Sequence, residues 1–293
     1  MTRHVMRIEV AAVFTLLLSS AAVHAAQLKQ ETLQAWNQYI AKAESQMAAR
    51  LQPQAMFLSS AERPETMARV HAGEIVVAPV SHNPRRIADG LIHDWAGAAF
   101  IPGSNIADVF AVVRDYGRYK QYYAPLVIDS RPLGRAGAEY TFAMLMMNQS
   151  LFSKSALDGE YSESYFRVSD SRWYSVAYST RVQQIDNFGG ENEHRLPADQ
   201  GSGYIWRLYT ISRFEQRDGG VYVEMEVIAL SRDIPVSLRW IVDPIVRRVS
   251  RGSLLTSLEK TRTAVSTEVA TASRASETSV VAQNARQSAA GGR

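Results

Sequence analysis

Apolar residues in the first part of the chain recur at spacings of three and four. Trp36, Ile40, Ala43, Met47 and Leu51 fall on one face, and Lys29, Glu31, Lys42 and Glu44 lie mostly off it. That period predicts an amphipathic helix over residues 28–51, ended by Pro53. Residues 52–72 show no period and read as a surface connection. Glu74–Val80 is short and β-branched and predicts a strand, and Ser81–Asp89, with Asn83-Pro84, predicts a loop.

From Gly90 the pattern changes. Leu91–Ile101 reads as a strand closed by Pro102-Gly103, and Ser104 or Asn105 is placed to cap a helix carrying Ile106, Val109, Phe110 and Val113. A second short helix, Tyr116–Tyr123, precedes Pro125. Successive strands follow at Leu126–Leu133, Ala138–Met147, Leu151–Glu160, Trp173–Asp186, Tyr204–Gln216 and Val221–Ser231. Gly134 with Gly137, Asp158-Gly159, Gly189-Gly190 and Asp218-Gly219 read as the turns between them. Strands joined by hairpins make an antiparallel sheet.

Closing the last hairpin at Asp218-Gly219 pairs Arg217 with Gly220 and fixes the register outward. Phe214 then faces Val223, Ser212 faces Met225, Thr210 faces Val227 and Leu208 faces Ala229, all on one side together with Trp206. The other side pairs Arg213 with Glu224, Glu215 with Tyr222 and Ile211 with Glu226. The apolar side should meet a helix and the charged side solvent, where an Arg213–Glu224 pair would have little consequence. Opposite parity would bury those charges and let a spare donor orient a ligand hydroxyl.

After Pro235 the helical period returns in Leu238, Ile241, Val242, Ile245, Val249, Leu255 and Leu258. Asp243-Pro244 suggests a kink or restart, and Gly252-Ser253 a place of close approach. Residues 266–293, rich in Ala, Ser and Thr and without aromatics, should form a flexible tail.

Composition narrows the chemistry. The 293 residues include no cysteine, which excludes disulfides, thiolate nucleophiles and cysteine-ligated metals. The net charge of +3 gives no support for a nucleic-acid footprint. Arg3 and Arg7, the apolar run Val10–Leu18 and the triplet Val23-His24-Ala25 have the layout of a secretory signal, with cleavage expected after Ala25 or Ala26. The run is well short of the roughly 20 residues a membrane span needs. An exported, periplasmic and soluble mature chain is therefore expected.

The order of strand, two short helices, antiparallel strands and one long helix resembles the helix-grip fold of the START-like (SRPBCC) superfamily. Stretches that carry the resemblance include Gly90-Leu91-Ile92-His93-Asp94-Trp95, Phe100-Ile101-Pro102-Gly103, Val112-Val113-Arg114-Asp115-Tyr116, Trp206-Arg207-Leu208 and Leu230-Ser231-Arg232-Asp233-Ile234-Pro235. It covers about residues 90–265 and resembles an exported bacterial group. Residues 26–89 would be an added N-terminal helix and strand, packed on the domain. The resemblance implies an α+β fold in which a curved antiparallel sheet wraps a long C-terminal helix around an apolar cavity. The function it implies is an exported binding or carrier protein for a hydrophobic small molecule or lipid. A cyclase- or dehydratase-like enzyme using the same cavity, and an envelope interaction module with a filled core, are the alternatives.

The expected lining follows strand parity. Tyr140, Phe142, Met144 and Met146 alternate onto one face of the middle strands, and methionines suit surfaces that accept varied apolar ligands. Trp206, Thr210, Ser212, Phe214 and Met225 come from the last hairpin. Trp95, Phe110 and Trp240 would add aromatic surface, and Tyr178 and Arg181 polar contacts. Plain core packing is the alternative for the aromatic and methionine stripe. His93 and Asp94 are strand neighbours pointing to opposite faces, so they cannot act together on one substrate atom. No HExxH, GxSxG, phosphate loop or dinucleotide motif occurs, so no catalytic residue, metal or cofactor is expected. The expected partner is the hydrophobic ligand and not nucleic acid, with transient membrane contact left open. Asn148-Gln149-Ser150 fits a glycosylation sequon at what reads as a strand end.

Overall fold

Asp218 and Gly219 adopt φ of 57° and 77°, the left-handed pair that a two-residue hairpin requires, and they fix the last two long strands in register. Here β9 (Ile205–Arg217) and β10 (Gly220–Arg232) pair as the sequence predicts, Arg213 against Glu224 and Thr210 against Val227 among them. The computed structural model describes residues 28–149, 154–200, 203–234, 237 and 239–290. The signal segment 1–25, Ser150 of the sequon, Pro235 and Leu238 lie outside the described residues.

In chain order the earlier elements are α1 (Gln30–Arg50), a 3-10 turn (Ser59–Glu62), α2 (Pro64–His71), β1 (Val76–Pro79), β2 (Arg85–Ile87) and β3 (Gly90–Pro102). Then come α3 (Ile106–Val113), a 3-10 turn (Tyr116–Arg118), α4 (Tyr119–Tyr122), β4 (Val127–Ala136), β5 (Glu139–Gln149), β6 (Lys154–Arg167), β7 (Arg172–Asp186) and β8 (His194–Arg195). The final helix α5 spans Arg239–Ala290. The sheet is antiparallel in the order β1-β3-β10-β9-β7-β6-β5-β4, with β2 on β3 and β8 on β7. The sheet and the long helix form a helix-grip architecture.

Several expectations need correction. Residues 52–72 are not a bare surface connection: they form the first 3-10 turn and α2, and Phe57, Leu58 and Val70 are buried on the sheet. The loop Ser81–Asp89 contains β2. Asp158-Gly159 is not a turn but lies inside β6, where Gly159 pairs with Met144 and Val182. The helix α5 does not give way to a tail at residue 266. Glu268 accepts hydrogen bonds from Arg118 (2.8 Å) and Tyr122 (3.4 Å), and Val269 packs against the core, so the helix keeps partners beyond Val265. Pro244 is carried within it, near its start.

Close approach of sheet and helix occurs at Gly97 rather than Gly252. A Cβ at Gly97 would lie 2.8 Å from Leu258 of α5, whereas one at Gly252 would meet nothing within 4 Å. Asn105, as expected, caps α3. Its Oδ1 accepts from the Asp108 amide, and the Asp108 carboxylate accepts from the Asn105 amide.

Both faces of the sheet are covered. The concave face packs Ala99, Ile101, Phe214, Val221 and Val223 against Val109 of α3 and Leu254, Leu258 and Val265 of α5. The convex face packs Ile92, Phe100, Tyr209, Ile211, Tyr222 and Ile228 under Trp36, Ala43 and Met47 of α1. The charged side of the last hairpin therefore has the expected parity but does not meet solvent, because the N-terminal segment lies over it. Arg213 is 1% exposed, and its Nη1 and Nη2 donate to Glu224 (2.9 Å) and Glu226 (2.8 Å). Its Nε reaches Met47 Sδ at 3.2 Å. The Ser59 and Ser60 amides donate to Glu224 at 2.9 and 2.7 Å, which ties the N-terminal segment to the same group.

On this face Asp94 accepts from the Tyr39 hydroxyl at 2.7 Å. Burial first, and the nearby Glu226 carboxylate second, push its pKa up to about 7.

Arg213→Ala should cost about 3–5 kcal/mol in urea unfolding, since it strands two buried carboxylates. Asp94 is ionised in the unfolded chain above pH 4 but still takes a proton in the fold until about pH 7. The stability that this difference supplies is complete below the unfolded value and is lost as pH rises between the two. Asp94→Asn keeps an acceptor for Tyr39 and should therefore stabilise the protein at pH 8 by on the order of 2–4 kcal/mol, with little effect at pH 4. Thermal unfolding of both proteins at the two pH values checks this.

Candidate functional site

The strands alternate, so one row of inward residues crosses the sheet: Trp95 on β3, Val227 on β10, Thr210 on β9, Ala177 on β7 and Glu163 on β6. These residues line a cavity of about 380 Å³ between the sheet and α5. Phe142, Met144 and Met146 of β5 close one flank. The far wall is the α5 face Ser250, Ser253, Leu254, Ser257 and Thr261, and Tyr119 and Tyr123 stand at α4 and its end. The cavity is hollow because its middle is lined by small residues, Ala177, Ala229, Ser212 and Ser253, where larger ones would fill it.

Of the fourteen residues expected at the ligand, Trp95, Phe142, Met144, Met146, Thr210, Ser212, Phe214 and Met225 line this cavity. The other six candidates lie elsewhere. Phe110 is packed edge-on against Tyr165, Trp173 and Phe214, behind the wall. Tyr140 shares the face of Phe142 but sits beyond the cavity, against Tyr116 and Tyr165. Trp206 is turned outward by a register shift: Leu230 pairs with Arg207 and Ser231 with Ile205, so Trp206 is the extra residue and is buried with Trp36. Tyr178, 44% exposed, faces outward beside Tyr209. A second shift, at Glu160/Tyr161, turns Arg181 outward as well, toward Glu160 (3.5 Å) and Asp158 (3.8 Å). Trp240 is 76% exposed at the start of α5.

Sequence reasoning missed Tyr161 and Glu163, because the strand holding them was ended at residue 160. Their alternation with Tyr165 was the available signal. It also missed Ser250, Ser253, Ser257 and Thr261, whose spacings of three and four on α5 announce a hydroxyl stripe.

The polar groups of the lining are tied into the wall. Glu163 accepts from Tyr116 (2.8 Å) and from Ser175 (2.7 Å), and burial raises its pKa. The Tyr123 hydroxyl meets Thr261 at 3.0 Å. His93 does line the cavity, with Nε2 2.9 Å from Ser231, while Asp94 faces away as expected. Phe142 is stacked between Tyr116 and Tyr161, with ring centroids 4.2 and 5.3 Å away. Tyr178 and Arg181, expected as polar contacts, do not converge with His93: both face outward, whereas His93 lines the cavity. Among the described residues no group of three or more His, Asp or Glu could hold a metal ion, and no helix is long and apolar enough to cross a membrane.

No family model matches the chain, and no curated protein matches it. Solved structures similar to it include a STAR-related lipid transfer protein from Xanthomonas axonopodis, 19% identical, with 65% of this chain and 98% of that one covered at a TM-score of 0.41. The Zhui aromatase/cyclase from Streptomyces is 9% identical, with 61% and 96% covered and a TM-score of 0.39. Human STARD10 is 8% identical, with 74% and 83% covered and a TM-score of 0.40.

Glu163→Ala leaves the Tyr116 and Ser175 hydroxyls buried without their acceptor. Chemical denaturation should show a loss of roughly 2–3 kcal/mol, and Glu163→Gln, which retains one acceptor oxygen, should lose less.

Proposed function

We propose that this chain is an exported binding or carrier protein that holds a hydrophobic small molecule or lipid between the sheet and the C-terminal helix. The observation that carries this reading is the cavity itself. Its 380 Å³ lies in the usual range for ligand sites, about 300–1,000 Å³. Its lining is mostly apolar, with three methionines on one strand flank that adapt to varied shapes. A filled interior would have favoured an interaction module instead. The volume is near the low end of the range, which suits one compact molecule better than two long acyl chains. Export rests on the basic and apolar segments before residue 26.

Native mass spectrometry of protein purified from its host should show a bound apolar species on a chain beginning at Ala26 or Gln27. The neutral dye Nile red should bind stoichiometrically. Ala177→Trp, which fills the centre of the cavity, should weaken dye binding at least about tenfold while the protein stays folded. A wild-type protein that carries nothing and takes up no apolar probe would sink the carrier reading.

A further inference from the structure

Two hydrogen-bond donors in the cavity wall have no partner among the described residues: the indole Nε1 of Trp95 and the hydroxyl of Tyr161. Both residues are deeply buried, 8% and 6% exposed, and both rings line the cavity. Buried donors are nearly always satisfied, so each of these calls for an acceptor. They also lie far apart. Trp95 is on β3 and Tyr161 on β6, four strand steps along the sheet at roughly 4.8 Å per step.

The local sequence builds one of these positions deliberately. The Tyr161 ring lies over Gly159, where any Cβ would come within 2.4 Å of the hydroxyl oxygen. Gly159 is therefore required to let that hydroxyl settle on the wall, and the register shift at Glu160/Tyr161 accompanies it.

The lining also selects on charge. Among the described residues no lysine or arginine lines the cavity. Arg114 lies behind the wall, with its guanidinium 3.8 Å from the Phe110 ring centre and 4.2 Å from that of Tyr165. A carboxylate or phosphate brought into the cavity would lose its hydration beside Glu163 and gain no cation.

Building on the carrier reading, we infer that the ligand is an uncharged molecule with an apolar skeleton and oxygen acceptors at two separated places, one for Trp95 and one for Tyr161. Carbonyl, ether or hydroxyl oxygens all meet this description. Fatty acids and phospholipids do not. Both donor atoms are covered in the protein, so each ring must turn toward the cavity before an acceptor reaches it; a site built around such donors discriminates against analogues that lack the oxygens.

Displacement of Nile red by three probes tests the inference. Progesterone carries a ketone at each end of a rigid skeleton, pregnane is the same skeleton without oxygen, and oleate is apolar but anionic. Progesterone should displace the dye at least about tenfold more effectively than pregnane, and oleate should be the weakest. Trp95→Phe and Tyr161→Phe should each reduce the progesterone affinity by about five- to tenfold and shrink its preference over pregnane by the same factor, with dye affinity measured separately for each variant. A cooperative thermal unfolding transition of each variant, followed by circular dichroism, reports that it folds. Should Trp95→Phe unfold, Tyr161→Phe and the wild-type probe comparison still decide. The inference is overturned if dye binds but pregnane equals progesterone, if oleate binds best, or if the double variant keeps the full ketone preference. Failure of the dye to bind wild type at all would overturn the carrier reading itself, and the inference with it.

Discussion

A single buried guanidinium organises this molecule. Arg213 sits on the convex face of the sheet, and only closure from above makes its burial tolerable. Two carboxylates, Glu224 and Glu226, compensate its charge, and Met47 together with the amides of Ser59 and Ser60 completes its surroundings. A charge desolvated in this way is costly unless every contact is made. The N-terminal helix and the turn after it are thus required by the chemistry of the last hairpin, and they are not an ornament on its edge. Asp94 belongs to the same environment: with two carboxylates already sharing one cation, burial and Glu226 favour its neutral form.

Covering the convex face has a consequence for the concave one. Trp36, Phe57, Leu58, Tyr209, Ile211, Tyr222 and Ile228 bury a full second core beneath α1. Apolar burial on that side contributes stability that does not depend on filling the interior between sheet and helix. Along α5 the packing then divides. Where Leu258 crosses Gly97, the absent side chain brings helix and sheet into contact. Where Ser250, Ser253 and Ser257 look toward Ser212, Ala177 and Ala229, small groups on both walls hold a space open.

Much of this was legible in the sequence, and the boundary of legibility is physical. Strand parity depends only on alternation from a fixed turn, so Asp218-Gly219 correctly predicts the pairing from Arg217–Gly220 to Leu208–Ala229. Alternation breaks at Trp206, beside a one-residue shift that no local pattern announces, and a like shift turns Arg181 outward. Exposure was misread for a different reason. Arg213, Glu224 and Glu226 look like a solvated face in isolation, and only a segment some 150 residues earlier in the chain covers them. Gly159 illustrates a third limit. Asp-Gly usually marks a turn, but here the glycine makes room for a ring two residues away on the same strand. The hydroxyl stripe of α5 was readable, but an eye looking for apolar periodicity passes over it.

The state of the polar groups decides what the cavity is suited to do. Glu163 is the acid most deeply placed in the wall, yet its oxygens already receive Tyr116 and Ser175. His93 is held at Ser231, and Tyr123 at Thr261. Moving a proton to or from a bound molecule would require breaking one of these bonds in a dry environment, where a lost partner is costly. The donors left over, on Trp95 and Tyr161, are neutral groups whose protons are not given up near neutral pH. Burial pushes the Tyr161 hydroxyl further in that direction, well above its ordinary pKa. Such donors match an acceptor's position without transferring charge to it. For the ligand proposed above, this wall offers a shape to match and two donors for its oxygens, with the long helix and the methionine flank supplying the fit.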